Sequence, residues 1–277
     1  MTSLSRARAS WPPRHAVISG GSSGIGLAMA HALAAQGTRL TLLARDPARL
    51  EGAAAAIRAA RPGAEVLALP ADMREASAAA AAVARAEAQA PLDLVVACAG
   101  AVRAGAFAEL PPETHRELME TNYFGALNLL RPALAPMRAR GAGRALIVGS
   151  AAGLAGFWGY SAYSPTKFAL RGLGEALRAE CRPDGVSVSI AHPPDTETPQ
   201  LAAERAERPP QLAAIAGAAP PLSAEAVAAA LLRGVRRGRG DVPVGLAAWA
   251  LLRLAPAARP AVDAWFAWTA ARAGRGN

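Results

Sequence analysis

Ser19-Gly20-Gly21-Ser22-Ser23-Gly24-Ile25-Gly26 follows the apolar run His15-Ala16-Val17-Ile18 and precedes Leu27-Ala28-Met29-Ala30, and this junction decides the fold. An apolar run of strand length that ends in glycines and opens an alanine-rich stretch reads as a buried strand, a tight turn and a helix. The glycines let the backbone turn sharply, approach a pyrophosphate and seat the helix close to the strand. Free N–H groups at the helix start add a partial positive charge that suits phosphate. Three glycines at this spacing are a weak signal alone; the strand before and the helix after make them a dinucleotide cradle. Gly20, Ser22, Ser23, Gly24, Ile25 and Gly26 are therefore the candidate phosphate-binding residues.

Outward from this junction the same rhythm repeats. Apolar runs begin at Arg39 (RLTLLA), Glu65 (EVLALP), Leu92 (LDLVVAC), Ala145 (ALIVG) and Val186 (VSVSIA), and each reads as a buried parallel strand. Alanine-rich stretches of helical length lie between them and supply the right-handed crossovers that parallel strands need. One of these opens with Asp46-Pro47, an N-cap followed by proline at the first helical position. The expected architecture is an α/β, doubly wound (Rossmann) parallel sheet with helices on both faces, one domain with a C-terminal helical extension. The expected division is a loose leader over 1–13, a catalytic domain over 14–244 and an apolar, aromatic helical segment over 245–277. Within the domain, 193–221 is rich in Pro, Ala and charge and follows the carboxyl end of the sixth strand, where ligands bind in open α/β sheets; it reads as a substrate lid.

Composition narrows the function. A 277-residue chain that is 52% hydrophobic buries an ample core without metal or disulfide staples. The net charge of +9 comes from arginines that are scattered rather than clustered with aromatics, which argues against a nucleic-acid partner. Cys98 and Cys181 lack metal-ligand spacing, so no metal site is expected and both read as reduced thiols of a cytoplasmic protein. No apolar run near the N-terminus is long enough for a signal peptide.

The end of the second strand addresses the cofactor. A carboxylate there would grip a ribose 2′-hydroxyl, but this chain has Ala44-Arg45, and an arginine fork suits a 2′-phosphate by about 1.5–3 kcal/mol. NADPH is the expected cofactor, with Asp46 left to helix capping. Asp72, just past the third strand, is placed either to meet the adenine edge or to form a turn.

Tyr163-Ser164-Pro165-Thr166-Lys167 puts a phenol and an ammonium four residues apart, on one helix face. Lys167 is the only lysine in the chain, which implies a task that arginine's wide fork cannot do. Ketone reduction by hydride needs a proton for the new alkoxide. A free tyrosine holds its proton to about pH 10, and a neighbouring ammonium with an oxidised nicotinamide lowers that value. Tyr163 is thus the candidate general acid, and Ser150, at the end of the fifth strand, the candidate hydrogen-bond partner of the substrate oxygen.

Gly20-x3-Gly24-Ile25-Gly26, Asn122, Ser150 and Tyr163-x3-Lys167 together resemble the short-chain dehydrogenase/reductase family over roughly residues 14 to 200. The resemblance implies that Asn122, in Thr121-Asn122-Tyr123, helps hold a water linking the lysine to solvent. It also places Ala99, Gly100, Pro193, Thr196 and Thr198 beside the cofactor. Cys98-Ala99-Gly100 stands where the family usually has Asn-Ala-Gly, and Pro193-Pro194 where it often has Pro-Gly. Within the family, His192-Pro193-Pro194-Asp195-Thr196-Glu197-Thr198-Pro199 and Lys167 to Leu173 are similar to the 3-ketodihydrosphingosine reductases. That similarity implies NADPH-dependent reduction of the 3-keto group of a sphingoid base. The alternatives are reduction of another carbonyl, a 3-oxoacyl thioester or a hydroxysteroid ketone, and a non-catalytic NADP(H) sensor.

The C-terminal composition suits a lipid-like substrate. Residues 244–258 are apolar apart from Arg253, and Trp249, Trp265, Phe266 and Trp268 follow at helical intervals. With Arg233, Arg236, Arg237 and Arg239 nearby, the segment reads either as a peripheral contact on the cytoplasmic face of a membrane or as helices covering a subunit interface or the lid. The apolar run is too short for a span. Family resemblance further implies a homo-oligomer joined through helices around 115–140 and 160–181.

Overall fold

The computed structural model describes residues 10–217, 220–254 and 257–274. Residues 1–9 of the expected leader lie outside the described residues, as do 218–219 of the expected lid and 255–256 and 275–277 of the C-terminal segment. In chain order the strands are β1 (His15–Ser19), β2 (Arg39–Ala44), β3 (Val66–Pro70), β4 (Leu94–Ala97), β5 (Gly143–Val148), β6 (Val186–His192), β7 (Thr196–Glu197), β8 (Leu222–Ser223) and β9 (Asp241–Pro243). The helices are α1 (Gly24–Ala34), α2 (Pro47–Ala60), α3 (Ala76–Glu87), α4 (Pro112–Met119), α5 (Gly125–Arg140), α6 (Tyr163–Cys181), α7 (Pro199–Ala206), α8 (Pro210–Ala216), α9 (Ala224–Arg236), α10 (Gly245–Arg253) and α11 (Arg259–Gly274). A π-helical turn, Glu120–Phe124, joins α4 to α5.

Seven strands form one sheet in the order β3-β2-β1-β4-β5-β6-β9, with every pair parallel. Side chains of a strand alternate between faces, so neighbouring apolar residues feed two cores. Ile18, Leu42, Val96 and Leu146 meet Met29 and Leu33 of α1, Leu50 and Ile57 of α2 and Leu231 of α9. Val17, Leu43, Val95 and Ile147 meet Val83 of α3, Leu129 of α5 and Leu170 of α6. The doubly wound sheet with helices on both faces is as the alternating pattern implies, and Asp46 caps α2 by accepting the N–H groups of Ala48 and Arg49.

One strand departs from the expectation, and the segment expected to be a lid has secondary structure of its own. The seventh strand, β9, has three residues and ends in proline, so it offers no apolar run to read. Segment 193–221 is not an unstructured loop: β7 pairs with β8 across its base, and α7 and α8 lie between, each with proline in its first turn.

Close approach of α6 to the sheet positions the candidate catalytic residues. A Cβ at Gly174 would lie 2.4 Å from Ile190 Cγ1 and 2.6 Å from its Cδ1, so α6 can settle on β6 only where no side chain intervenes. Gly174→Ala should push α6 outward and destabilise the fold by about 1–3 kcal/mol. Denaturant unfolding measures this; Gly172→Ala, where an added Cβ meets nothing within 4 Å, is the control.

Candidate functional site

Strand order reverses between β1 and β4, so the turns leaving these strands diverge and open a crevice at their carboxyl ends. Ser19 spans the divergence: its Oγ accepts the N–H of Cys98 at 3.1 Å and of Ala99 at 3.2 Å. The glycine turn packs against this point. A Cβ at Gly20, which has φ +69°, would lie 3.0 Å from Ala99 Cα, and one at Gly26 only 2.3 Å from Gly20 O. Gly24 (φ +53°) abuts Thr198, whose Cγ2 an added Cβ would approach to 2.9 Å.

The head of α1 has no side-chain cap. Thr198 and Ser223 cap α7 and α9 with their side chains, whereas Ser23, at the N-cap of α1, makes no capping bond. Ser23 therefore leaves the N–H groups of Gly24 and Ile25 open to an anion, while the Gly26 N–H meets the Cys98 thiol. Arg45 follows β2, is exposed and forms no ion pair among the described residues. Asp72 is engaged by Arg74, whose Nη2 donates to Oδ2 at 2.6 Å and whose backbone N–H donates to Oδ1 at 3.0 Å. Hydrogen bonding from Arg74 holds the Asp72 carboxyl below its ordinary pKa, with Arg45 adding to the effect. Of the two placements considered for Asp72, its bonds fit the turn.

Tyr163 and Lys167 open α6 on its inward face. Lys167 Nζ donates to Val148 O at 3.2 Å and lies 5.5 Å from the centre of the Tyr163 ring. Gly153 allows this: a Cβ there would lie 2.8 Å from Lys167 O. Ser150 caps the 3₁₀ turn Ala151–Gly153 by accepting the N–H of Ala152, and the same turn is tied to the sixth strand's exit by Ala151 N–H donating to Pro193 O at 2.9 Å. Asn122 is fully buried in the π-helical turn. Its Oδ1 accepts Ala101 N–H at 2.7 Å, and its amide donates to Ala101 O and Thr166 Oγ1, both at 2.9 Å. Gly100 lies between Asn122 and the lysine: its Cβ would be 3.1 Å from Asn122 Oδ1 and 3.7 Å from Lys167 Nζ. Thr196 donates to Pro194 O at 2.9 Å beside the same exit.

Electrostatics in the chain alone differ from the sequence expectation for the tyrosine. Burial pushes the Tyr163 phenol up to about 12; its hydrogen bond with Ser150 opposes this, and the negative charges of Glu204 and Asp195 add to it. Burial also draws Lys167 down to about 8. Desolvation governs both values because each group is enclosed in a medium of low dielectric. Burial likewise raises the Cys98 thiol to about 11.

Several residues at the site were not singled out from the sequence. Ser19 and Thr166 each look like an ordinary small polar residue there. An apolar wall around Tyr163 comprises Val102, Ala104, Phe157, Trp158, Leu212 and Ala216, drawn from three segments. Phe266 and Ala270 of α11 pack with Ala155 and with Ile215 of α8, so the C-terminal helix covers segment 193–221 from outside.

The chain is similar to known proteins over most of its length. The short chain dehydrogenase family profile matches residues 14–209. The 3-ketodihydrosphingosine reductase of Bos taurus is 35% identical over 238 residues, covering 84% of this chain and 72% of that protein. The 3-dehydrosphinganine reductase of Danio rerio is 35% identical over 228 residues, covering 81% and 69%. Among solved structures, a short-chain dehydrogenase from Sphingobium yanoikuyae in complex with NADPH superposes with a TM-score of 0.77 at 27% identity, covering 90% of this chain and 95% of that one.

Burial of Lys167 has a measurable consequence. Its folded-state pKa near 8 lies below its unfolded value of 10.5, so between these values the unfolded chain binds more protons and stability rises with pH. Below pH 8 the burial cost is present in full. Lys167→Met should therefore raise stability at pH 7 by on the order of 1–3 kcal/mol relative to wild type, and this advantage should shrink as pH approaches 10. Parallel urea unfolding at both pH values checks it; an equal effect at both would contradict the burial argument.

Proposed function

We propose that this chain, which belongs to the short-chain dehydrogenase family, reduces the 3-keto group of 3-ketodihydrosphingosine to the alcohol with NADPH. The observation that carries the chemistry is the convergence of Ser150, Tyr163 and Lys167 at one end of α6 beside the open head of α1. The substrate follows from relatives at 35% identity that are named for it.

The crevice fits the cofactor. Gly20, Gly24 and Gly26 leave a turn that a Cβ would fill, and Ser22, Ser23, Ile25 and the uncapped N–H groups of α1 border a place for a pyrophosphate. Arg45 is free to meet a 2′-phosphate, and Ala99, Gly100, Pro193, Thr196 and Thr198 border the nicotinamide side. Bound NADPH supplies the hydride. The chain's own part is to hold the ketone and move the proton. Ser150 and Tyr163 receive the carbonyl oxygen, and Tyr163 gives its proton to that oxygen as the carbon is reduced. The Lys167 ammonium favours the resulting phenolate, and Asn122 fixes the floor under it by joining Ala101 to Thr166. The apolar wall of Val102, Phe157, Trp158 and Leu212 suits an alkyl chain.

The same reading extends to where the protein acts. No described helix is long and apolar enough to cross a membrane. Leu246 and Trp249 of α10 and Trp265 and Trp268 of α11 are exposed near Arg253, Arg259 and Arg272, which supports a peripheral contact with the cytoplasmic face of a membrane. Exposed Phe124 and Phe168, by α5 and on α6, support association of copies through these helices.

The deciding experiment follows NADPH oxidation with 3-ketodihydrosphingosine in detergent, beside a 3-oxoacyl thioester and a steroid ketone. Turnover confined to the other ketones would discard the substrate. Tyr163→Phe should lower the rate by on the order of 10²–10⁴ with NADPH affinity retained. Arg45→Ala should erode the preference for NADPH over NADH by roughly tenfold or more, consistent with losing a charge-assisted pair.

A further inference from the structure

An ion network beside Tyr163 takes no part in the proton transfer described above. Glu204 of α7 and Arg208, just beyond that helix, have side chains only 4% and 3% exposed. Arg208 donates Nε to Glu204 Oε1 at 2.8 Å, Nη2 to Glu204 Oε2, and Nη1 to Asp195 Oδ2 at 2.8 Å. Tyr160 donates its hydroxyl to Glu204 Oε1 at 3.0 Å, and its ring lies edge-on to Tyr163 with centres 5.0 Å apart. Three segments thus meet at the reacting phenol: the approach to α6, the exit of β6, and the helix at 199–206.

The network holds two carboxylates and two guanidiniums, but only one of the guanidiniums is buried. Both carboxylates face that buried guanidinium, and the other, Arg205, stands 3.9 Å from Asp195 Oδ2 with nearly half its side chain in solvent. Asp195 Oδ2 takes both arginines, and Oδ1 has no hydrogen bond among the described residues. Asp195 keeps 20% of its side chain exposed, so solvent and the outlying Arg205 compensate its charge only in part. The surplus that remains sits within electrostatic reach of Tyr163, where both carboxylates disfavour release of the phenol proton. A cation present only during turnover would remove that surplus.

We propose that Asp195, held in place by Arg208, is the specificity-determining residue that receives the ammonium of a 2-amino-3-keto substrate. This rests on the sphingoid-ketone reading: such a substrate carries its ammonium on the carbon next to the carbonyl, whereas a 3-oxoacyl thioester or steroid ketone has no cation there. Gripping the ammonium turns the carbonyl oxygen toward Ser150 and Tyr163. It also neutralises the charge that holds the phenol proton, so the substrate eases its own protonation. Glu204 and Tyr160 act through Arg208 and are positioning residues.

The test compares kcat/KM for 3-ketodihydrosphingosine and for the same 1-hydroxy-3-ketone chain lacking the amine, in wild type and Asp195→Asn, with NADPH affinity and melting temperature measured alongside. Wild type should prefer the amino ketone by about tenfold or more, mostly through KM, as expected for one desolvated charge pair. Asp195→Asn should lose most of that preference, its loss on the amino ketone exceeding its loss on the neutral one. Arg208→Met should move the preference in the same direction. Equal kcat/KM for the two ketones in wild type overturns the proposal whether or not the variants fold, and so does a preference retained by folded Asp195→Asn. Failure of wild type to reduce either ketone sinks the substrate reading itself, and the proposal with it.

Discussion

Ser19 accepts the N–H groups of both Cys98 and Ala99 on one side-chain oxygen, and this clasp sets the distance between the turn after β1 and the turn after β4. Everything in the crevice is built at van der Waals contact from that distance. Gly20 rests on Ala99, Gly26 on Gly20, and Gly24 on Thr198 at the base of segment 193–221. On the other side Gly100 rests on Asn122, and Asn122 bonds to Thr166, one residue before Lys167. Each step is a backbone approach that a Cβ would obstruct or crowd, so the phosphate cradle and the lysine are positioned relative to each other with little slack. A close-packed interior of this kind transmits displacement instead of absorbing it. The precision needed for hydride and proton transfer therefore comes from glycines and one hydroxyl, groups that take no part in the chemistry.

Enclosing Lys167 follows from the same packing. An ammonium lodged against Val148 O and near Gly100 suits a compact head better than a guanidinium fork, which fits the single lysine in a chain whose other strong bases are all arginine. Desolvation pulls the lysine down and pushes Tyr163 up, so in the chain alone both groups are held toward their neutral forms. Stability is given up at this point of the fold, as is common where a site must be ready for charge that arrives with its ligands.

Much of this could be read from the sequence because the signals are local. Six strands announce themselves as apolar runs, the Asp46-Pro47 cap is a two-residue pattern, and Tyr163 and Lys167 fall on one face by helical periodicity alone. What could not be read depends on contacts that the local pattern does not announce. β9 has three residues and exists as a strand only because β6 offers an edge to it. Asp72 follows a strand in the way an adenine-binding residue would, and its carboxylate also pairs with Arg74, two residues on. The tryptophans of the C-terminal segment suggested either a membrane face or a cover for the lid. α11 turns Phe266 inward against Ala155 and Ile215 and leaves Trp265 and Trp268 outside, so both readings keep support from one helix. Glu204 and Arg208 stand four apart, the spacing of a helical ion pair, but the surrounding prolines and charges mask the period.

Segment 193–221 is therefore held by two kinds of contact that respond differently to a substrate. On its outer side α8 meets α11 through Ile215, Phe266 and Ala270, an apolar contact without directional preference. An alkyl chain entering beside Leu212 and Phe157 exchanges one apolar neighbour for another, so parting that side to admit it leaves little surface newly wetted. On its inner side Arg208 holds Glu204 and Asp195 through bonds of fixed direction in a buried setting, where separating the partners would strand charge. The inner contacts are thus directional and the outer ones are not. Such a division suits a substrate with a long variable tail and a small polar head: the tail needs a wall that gives way, and the head must meet Tyr163 in a single orientation.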